Sequence, residues 1–76
     1  MTTAYVLLDV EPGFDEEVLR QIRSMDGVME VYMVFGNYDI IVRIADSSPD
    51  KIRGQIEDRI RKIKRIRHTY TMLVMD

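Results

Sequence analysis

Residues 28–44 read VMEVYMVFGNYDIIVRI, two runs rich in valine, isoleucine and aromatic residues on either side of a glycine and an asparagine. Runs of this composition favour extended strands. Gly36 and Asn37 tolerate the positive φ values that a two-residue hairpin loop requires. We therefore predict an antiparallel hairpin with strands over residues 28–35 and 40–44 and a tight turn at Gly36 and Asn37.

The residues before this hairpin predict one strand and one helix. Apolar and polar side chains alternate over residues 3–10, as they do in a strand, and Pro12 and Gly13 end the run. Apolar residues then recur at helical spacing over residues 14–25, with acidic residues in the first turn. Gly27 suits the left-handed conformation that commonly ends a helix.

The residues after the hairpin predict a second helix and a last strand. Ser48 is a suitable N-cap, and Pro49 suits the first helical position. Residues 66–75 alternate as a closing strand. The order is therefore βαββαβ, the ferredoxin-like α+β arrangement, in which two helices cover one face of a four-stranded antiparallel sheet. The apolar stripe of the second helix consists of Ile52, Ile56, Ile60 and Ile63.

The two faces of this sheet have different expected environments. The face under the helices should form the core, with Val6, Leu8, Val10, Ile40, Val42 and Ile44. The other face would be polar if water covered it, yet it should carry Tyr5, Leu7, Tyr32, Val34, Ile41 and Leu73. Apolar residues clustered on one open face indicate an interaction surface. We expect a homodimer that packs sheet against sheet, as a dimeric α+β barrel.

Size and composition exclude several protein classes. A chain of 76 residues forms a single domain, and a domain this small gains much from a partner subunit. No apolar run approaches the ~20 residues of a membrane span, and the first residues do not form a secretory signal, so we expect a cytoplasmic protein. There is no cysteine and a single histidine, which rules out disulfides and multi-histidine metal sites.

Catalytic and nucleic-acid signals are weak. The serines lie at expected helix ends, and no neighbouring side chain in the sequence orients His68 as a base. We therefore expect no enzyme activity, no cofactor and no metal. The basic run at residues 59–67 could contact phosphates, but its isoleucines recur at helical spacing, which favours an amphipathic helix with a solvated charged face. The net charge of −2 also gives no general reason to bind nucleic acid.

Tyr38 and Asp39 are poorly explained by turn chemistry. A free amino acid has an ammonium group, which Asp39 could accept, and a carboxylate, which seeks N–H groups or hydroxyls. Gly36 allows a ligand to approach the backbone closely, and Tyr38 could form a wall. Hydroxyls could come from Thr69 and Thr71. From these residues alone, a plain hairpin turn remains the simpler interpretation.

Three segments together resemble the effector-binding (RAM) domain of the Lrp/AsnC regulator family. They are DGV at residues 26–28, VYMVFGNYDIIV at residues 31–42, and Ile66 followed by TYT at residues 69–71. The resemblance covers the whole chain as one domain, residues 1–76. It implies sheet-packed dimers that assemble into rings, octamers or decamers, with an amino acid bound between dimers against the hairpin. The implied ligand-binding residues are Gly36, Asn37, Tyr38, Asp39, Thr69 and Thr71, the threonines coming from the same or a neighbouring subunit.

Full-length members of that family begin with a helix-turn-helix domain, whereas this chain starts at the first strand. The resemblance therefore implies a stand-alone RAM protein, without direct DNA binding, that could modulate transcription by co-assembling with full-length Lrp/AsnC regulators. Three alternatives stay open. They are an ACT-like regulatory module of the same topology, a small dimeric α+β-barrel enzyme that uses Tyr70 or His68, and a dimerisation scaffold without a ligand.

Overall fold

The computed structural model of this protein describes residues 1–75. The described residues form four strands and two helices in the predicted βαββαβ order. A π-helical turn, Ile56–Ile60, continues the second helix. The elements are β1 (Thr2–Val10), α1 (Asp15–Arg23), β2 (Val28–Met33), β3 (Ile40–Asp46), α2 (Pro49–Gln55) and β4 (Ile66–Leu73).

The four strands form one antiparallel sheet in the order β2-β3-β1-β4. Both helices pack on the same face, because their buried residues belong to one core cluster with alternate residues of the strands. This confirms the predicted ferredoxin-like α+β fold. Strand β4 lies at the edge next to β1, so its free edge and the helix-free face of the sheet are both uncovered within the described protomer. Neither helix in residues 1–75 is long and apolar enough to cross a lipid bilayer.

The predicted core is confirmed at every position. The six strand residues expected to face the helices are all buried, and none is more than 2% exposed. Burying one large aliphatic side chain contributes roughly 1.5–3 kcal/mol, so this face supplies much of the driving force for folding. The helices complete the core with Val18, Leu19, Ile22, Ile52, Ile56 and Ile60.

The hairpin turn differs from the prediction. Strand β2 ends at Met33 and β3 begins at Ile40, so residues 34–39 form a longer loop in place of a two-residue turn. Gly36 has a φ of 131°, whereas no non-glycine residue within residues 1–75 has a positive φ, Asn37 included. The predicted tight turn at Gly36 and Asn37 is therefore wrong.

Other element boundaries also shift. Helix α1 ends at Arg23, and Gly27 with its φ of 86° lies in a separate turn before β2. Strand β4 ends at Leu73, two residues before the predicted end. The predicted N-cap is confirmed, since the backbone N–H of Lys51 donates to Ser48 Oγ at 3.3 Å and Pro49 follows at the first helical position.

The second helix ends earlier and less regularly than the isoleucine spacing predicts. Regular α-helix stops at Gln55, and the following turn closes with a hydrogen bond from the Arg61 N–H to the Ile56 carbonyl at 2.8 Å. Residues 61–65 then turn into β4, so the basic run is not one amphipathic helix. Ile63 lies beyond the helix yet remains buried in the core.

A side-chain contact fixes α2 to the end of β3. Gln55 Nε2 donates to Asp46 Oδ2 at 2.7 Å, and the backbone N–H of Ser47 donates to Asp46 Oδ1 at 2.6 Å. The pKa of the Asp46 carboxyl lies below its ordinary value, because these hydrogen bonds, that of Ser47 first, favour the ionised form. The contact holds in place the helix that lines the groove described below.

Candidate ligand-binding site

The loop of residues 34–39 is tied to the central strand β1. The backbone N–H of Asp39 donates to the Leu8 carbonyl at 2.8 Å, and the N–H of Val10 donates to Asp39 Oδ2 at 2.8 Å. The N–H of Val34 donates to the Asp39 carbonyl, also at 2.8 Å. Asp39 therefore anchors the loop with its backbone and its side chain, and this explains why the two strands stop pairing before the predicted turn.

One oxygen of the Asp39 carboxylate remains available. Asp39 Oδ1 accepts no hydrogen bond from residues 1–75, whereas Oδ2 is occupied by Val10. No buried side-chain oxygen or nitrogen in that range lacks a hydrogen-bond partner, so Oδ1 must contact solvent. A carboxylate oxygen can accept a hydrogen bond from an ammonium group while its neighbour stays bound to a backbone N–H.

The rest of the loop also presents polar backbone groups and an exposed ring. The N–H groups of residues 35–38 donate no hydrogen bond within residues 1–75. Phe35 at the tip is fully exposed. No atom lies within 4 Å of the position that a Cβ on Gly36 would occupy, so a ligand can approach the backbone there.

Tyr38 lies against β4 through an aromatic contact. Its ring stacks on that of Tyr70, with centroids 6.3 Å apart and planes inclined by 29°. Tyr70 pairs with Leu7 of β1, on the face of the sheet that carries no helix, here called the outer face. The loop thus covers one corner of the outer face.

Thr69 and Thr71 lie on the other side of the sheet. They pair with Leu8 and Val6, whose side chains are buried under the helices, so the threonines also face the helices. Both line a groove of about 350 Å³ between α2 and β4, here called the α2–β4 groove. None of the loop residues lines this groove. Within one protomer, the structure therefore does not bring Gly36, Asn37, Tyr38 and Asp39 together with the two threonines.

Four of the six residues expected on the outer face do lie there. Tyr32, Ile41 and Leu7 form one row of pairs across β2, β3 and β1, and Tyr5 pairs with Arg43 in the next row. Val34 lies just beyond the end of β2 and is partly exposed. Leu73 differs from the expectation, because it pairs with the buried Ala4 and so faces the helices. The register of β4 instead places Tyr70 and Met72 on the outer face.

The charged residues of the outer face neutralise one another. Arg43 Nε donates to Glu30 Oε1 at 2.5 Å, and the Tyr32 hydroxyl donates to Glu30 Oε2 at 2.7 Å. The pKa of Glu30 is lowered by the Tyr32 hydrogen bond and then by Arg43, and the same contacts raise the pKa values of Tyr32 and Arg43. A carboxylate with two donors is compatible with an interface, where an unpaired charge would be costly.

The basic run has largely structural contacts where it enters β4. Arg65 forms an ion pair with Glu11 and lies 4.0 Å from the centroid of the Phe14 ring, and Arg67 forms an ion pair with Asp9. His68 is exposed, and its imidazole forms no hydrogen bond within residues 1–75. These contacts hold the start of β4 against β1 and α1.

Comparisons with known proteins agree with this architecture. The family model for the Lrp/AsnC ligand binding domain matches residues 3–76. An uncharacterized HTH-type transcriptional regulator of Pyrococcus horikoshii is 32% identical over 75 residues, which are 95% of this chain and 50% of that protein. This chain thus spans about half the length of the curated relatives it matches.

Solved structures of similar length have the same fold. The crystal structure of FFRP-DM1 superposes with a TM-score of 0.95 and 33% identity, covering 99% of this chain and 100% of that one. The hypothetical protein PHS023 from Pyrococcus horikoshii superposes with a TM-score of 0.93 and 33% identity, over 100% of this chain and 92% of that one. The chain belongs to the Lrp/AsnC family, of which it carries the ligand-binding domain.

Proposed function

We propose that this chain is a non-enzymatic sensor domain that binds an amino acid and acts in transcription regulation as a homo-oligomer. Its membership of a family of ligand-binding regulatory domains supports the sensing role. The observation that carries the amino-acid assignment is the Asp39 carboxylate, which has one oxygen bound to Val10 N–H and the other open to solvent.

The loop offers complementary groups to both ends of a free amino acid. The ligand ammonium donates to Asp39 Oδ1, and the ligand carboxylate accepts from the unpaired N–H groups at residues 36 and 37. Gly36 leaves room for this approach, since no atom lies within 4 Å of its missing Cβ position. Tyr38 forms the wall on the side of Tyr70.

The hydroxyls of Thr69 and Thr71 belong to a second copy in this proposal. Within a protomer they face the α2–β4 groove, on the opposite side of the sheet from the Tyr38–Tyr70 stack. A loop from one copy that enters the groove of the next would bury Phe35, an apolar side chain that is fully exposed in the protomer. Such a contact joins different surfaces, and its repetition forms a ring where the rotation between copies closes. We propose an octameric or decameric ring.

The outer face supplies the other contact, a sheet-to-sheet homodimer. Tyr32, Ile41, Leu7 and Tyr70 form one row of pairs across all four strands, and Tyr5 lies in the next row beside Met72. Tyr32 and Tyr70 are more than half exposed. A contiguous apolar face of this kind is typical of an interface and unusual for a solvated sheet. A twofold axis through this face would bring the same residues of both copies together.

Amino-acid binding can be tested with thermal melts at neutral pH in the presence of each amino acid. A ligand at 100 times its dissociation constant stabilises the folded state by ~2.7 kcal/mol, which raises the melting temperature measurably. The matched controls are two derivatives of an amino acid that raises the melting temperature. The N-acetylated form lacks the ammonium, and the methyl ester lacks the carboxylate. Neither control compound should change the melting temperature. If no amino acid shifts it, the ligand-free dimerisation scaffold becomes the preferred function.

We further propose that the protein is cytoplasmic and transmits its ligand state by co-assembling with full-length Lrp/AsnC regulators. The shared ligand-binding domain supports this, because homologous domains present homologous assembly surfaces. Mixing the protein with a full-length regulator of the same cell should give mixed oligomers by native mass spectrometry. Only separate homo-oligomers, with and without the amino acid, would exclude co-assembly.

A further inference from the structure

The basic run borders a second groove, which the proposed function does not use. This groove has a volume of about 490 Å³, lies between α1 and residues 59–65, and is here called the α1 groove. Its charged lining residues are Arg59, Lys62, Lys64, Arg65 and Glu17, so four cations meet one acid. The α1 groove and the α2–β4 groove have no lining residue in common.

Ile63 explains why two lysines border the groove. Its side chain is buried in the core, its N–H donates to the Ile60 carbonyl at 3.1 Å, and its carbonyl accepts from Ile66 N–H at 3.3 Å. The chain neighbours Lys62 and Lys64 are exposed on either side of it, and both line the groove. The burial of Ile63 therefore fixes the backbone that carries these two lysines.

Most of the positive charge in this groove is unpaired. Arg59, Lys62 and Lys64 form no ion pair within residues 1–75. Arg65 is held by Glu11 and by the Phe14 ring, but a guanidinium has five N–H donors and so retains some for a ligand. The backbone N–H groups of Lys62 and Lys64 also donate no hydrogen bond in the described part of the chain. The groove thus offers many donors and little negative charge.

We propose that the α1 groove binds the polyphosphate group of a small molecule, a nucleoside triphosphate or an inorganic polyphosphate, with its phosphates against Arg59, Lys62 and Lys64. Each phosphate in such a chain is ionised at neutral pH, so one ligand neutralises several cations. Lysine binds a phosphate as a point charge, and arginine binds it through paired N–H donors. The groove volume of about 490 Å³ lies within the range of about 300–1,000 Å³ for small-molecule sites.

The arrangement of charges favours a compact polyphosphate over other anions. A ligand with a single carboxylate would leave most of the unpaired cations without an anion. A nucleic-acid backbone extends well beyond one groove and needs cations along its path. Here the first turn of α1 is acidic, with Asp15, Glu16 and Glu17. The other arginines of the basic run lie elsewhere, because Arg61 lines the α2–β4 groove and Arg67 pairs with Asp9.

Isothermal titration calorimetry of the whole protein with tripolyphosphate, ATP and AMP tests the inference. A metal-free buffer with about 0.15 M NaCl screens weak surface attraction. Tripolyphosphate and ATP should bind, and AMP should bind at least about tenfold more weakly, because its single phosphate loses charged contacts. Tighter binding of ATP than of tripolyphosphate would assign the site to a nucleotide, and equal affinity would assign it to the polyphosphate group alone.

Variants of the groove cations locate the binding. Arg59→Gln, Lys62→Gln and Lys64→Gln should each weaken tripolyphosphate binding by about tenfold, whereas Lys62→Arg keeps the charge and should retain most of the affinity. The matched control is Lys51→Gln, which removes one positive charge at an exposed position of α2 outside the groove lining. It should leave the affinity unchanged. All four positions are exposed, so the variants should fold, and circular dichroism verifies that.

Four results would overturn the inference. They are no heat with either polyphosphate, equal affinity for AMP, an equal loss in Lys51→Gln and the groove variants, and binding of a DNA duplex through these cations without binding of tripolyphosphate. The last result would make the basic run a nucleic-acid surface. The proposed amino-acid site uses the Asp39 loop and no residue of the α1 groove. A negative result with polyphosphates therefore leaves amino-acid sensing intact, and a negative amino-acid screen leaves the polyphosphate site intact.

Discussion

Replacing Leu7 by glutamate converts the expected sheet-packed dimer into monomers. Leu7 lies in the middle of the outer face, paired with Ile41 on one side and Tyr70 on the other. In a twofold dimer, the substitution places a carboxylate from each copy in an apolar interface that offers it no partner. An uncompensated buried charge costs about 3–5 kcal/mol. The dimer dissociation constant should therefore rise by about 100-fold or more.

Sedimentation equilibrium over a concentration series measures this change. The monomer should keep its fold, because Leu7 is outside the core and faces away from both helices, and circular dichroism verifies that. Gln21→Glu is the matched control, since it adds the same charge at an exposed position of α1. A Leu7→Glu protein that dimerises as tightly as the wild type would place the interface on another surface.

Asp39→Asn should abolish most amino-acid binding while preserving the loop. The amide oxygen of asparagine can still accept the hydrogen bond from Val10 N–H, which Asp39 Oδ2 accepts at 2.8 Å. The negative charge that meets the ligand ammonium is lost. A hydrogen bond to a charged group contributes about 1.5–3 kcal/mol, so the affinity should fall by about tenfold to 100-fold.

Asp39→Ala provides the comparison that separates binding from folding. Alanine leaves Val10 N–H without its acceptor next to a side chain that is 2% exposed, which costs about 1–3 kcal/mol of stability. Without ligand, the wild type and Asp39→Asn should therefore melt at higher temperatures than Asp39→Ala. The melting temperature should fall by about 4–8 °C for each kcal/mol of stability lost. If Asp39→Asn binds the amino acid as tightly as the wild type, the ligand ammonium contacts a different carboxylate.

The order of elements and the core could be predicted from the sequence because both depend on local periodicity. Alternation over β1 and β3 is sufficient to identify which residues share a face, and all six predicted core positions are buried. The Ser48 cap and Pro49 were also predictable, since the cap interaction spans three residues. The resemblance to the Lrp/AsnC domain extended the prediction to the family, which the family match confirms.

The hairpin loop shows where local chemistry fails. Gly36 and Asn37 suit a two-residue turn, but Asp39 bonds to Leu8 and Val10, about thirty positions away in the chain. The partners in these hydrogen bonds lie on β1, so they could not be predicted from the residues of the turn. The same contact gives the Asp39 carboxylate a structural role beside its proposed binding role.

The second helix shows a related limit. The isoleucine spacing predicts a continuous helix into the basic run, and Ile60 and Ile63 are both buried. The chain instead forms a π-helical turn and leaves the helix after Ile60, since residues 61–65 must turn back to bring β4 beside β1.

By itself, the sequence determined the βαββαβ order, the faces of β1 and β3, and the apolar character of the open sheet face, since each follows from side-chain periods along a single element. Only the tertiary structure decided which face of β4 meets the helices. That choice depends on the register between β4 and β1, set by long-range hydrogen bonds that pair Thr71 with Val6 and Tyr70 with Leu7. It places Thr69, Thr71 and Leu73 in the groove and Tyr70 on the outer face.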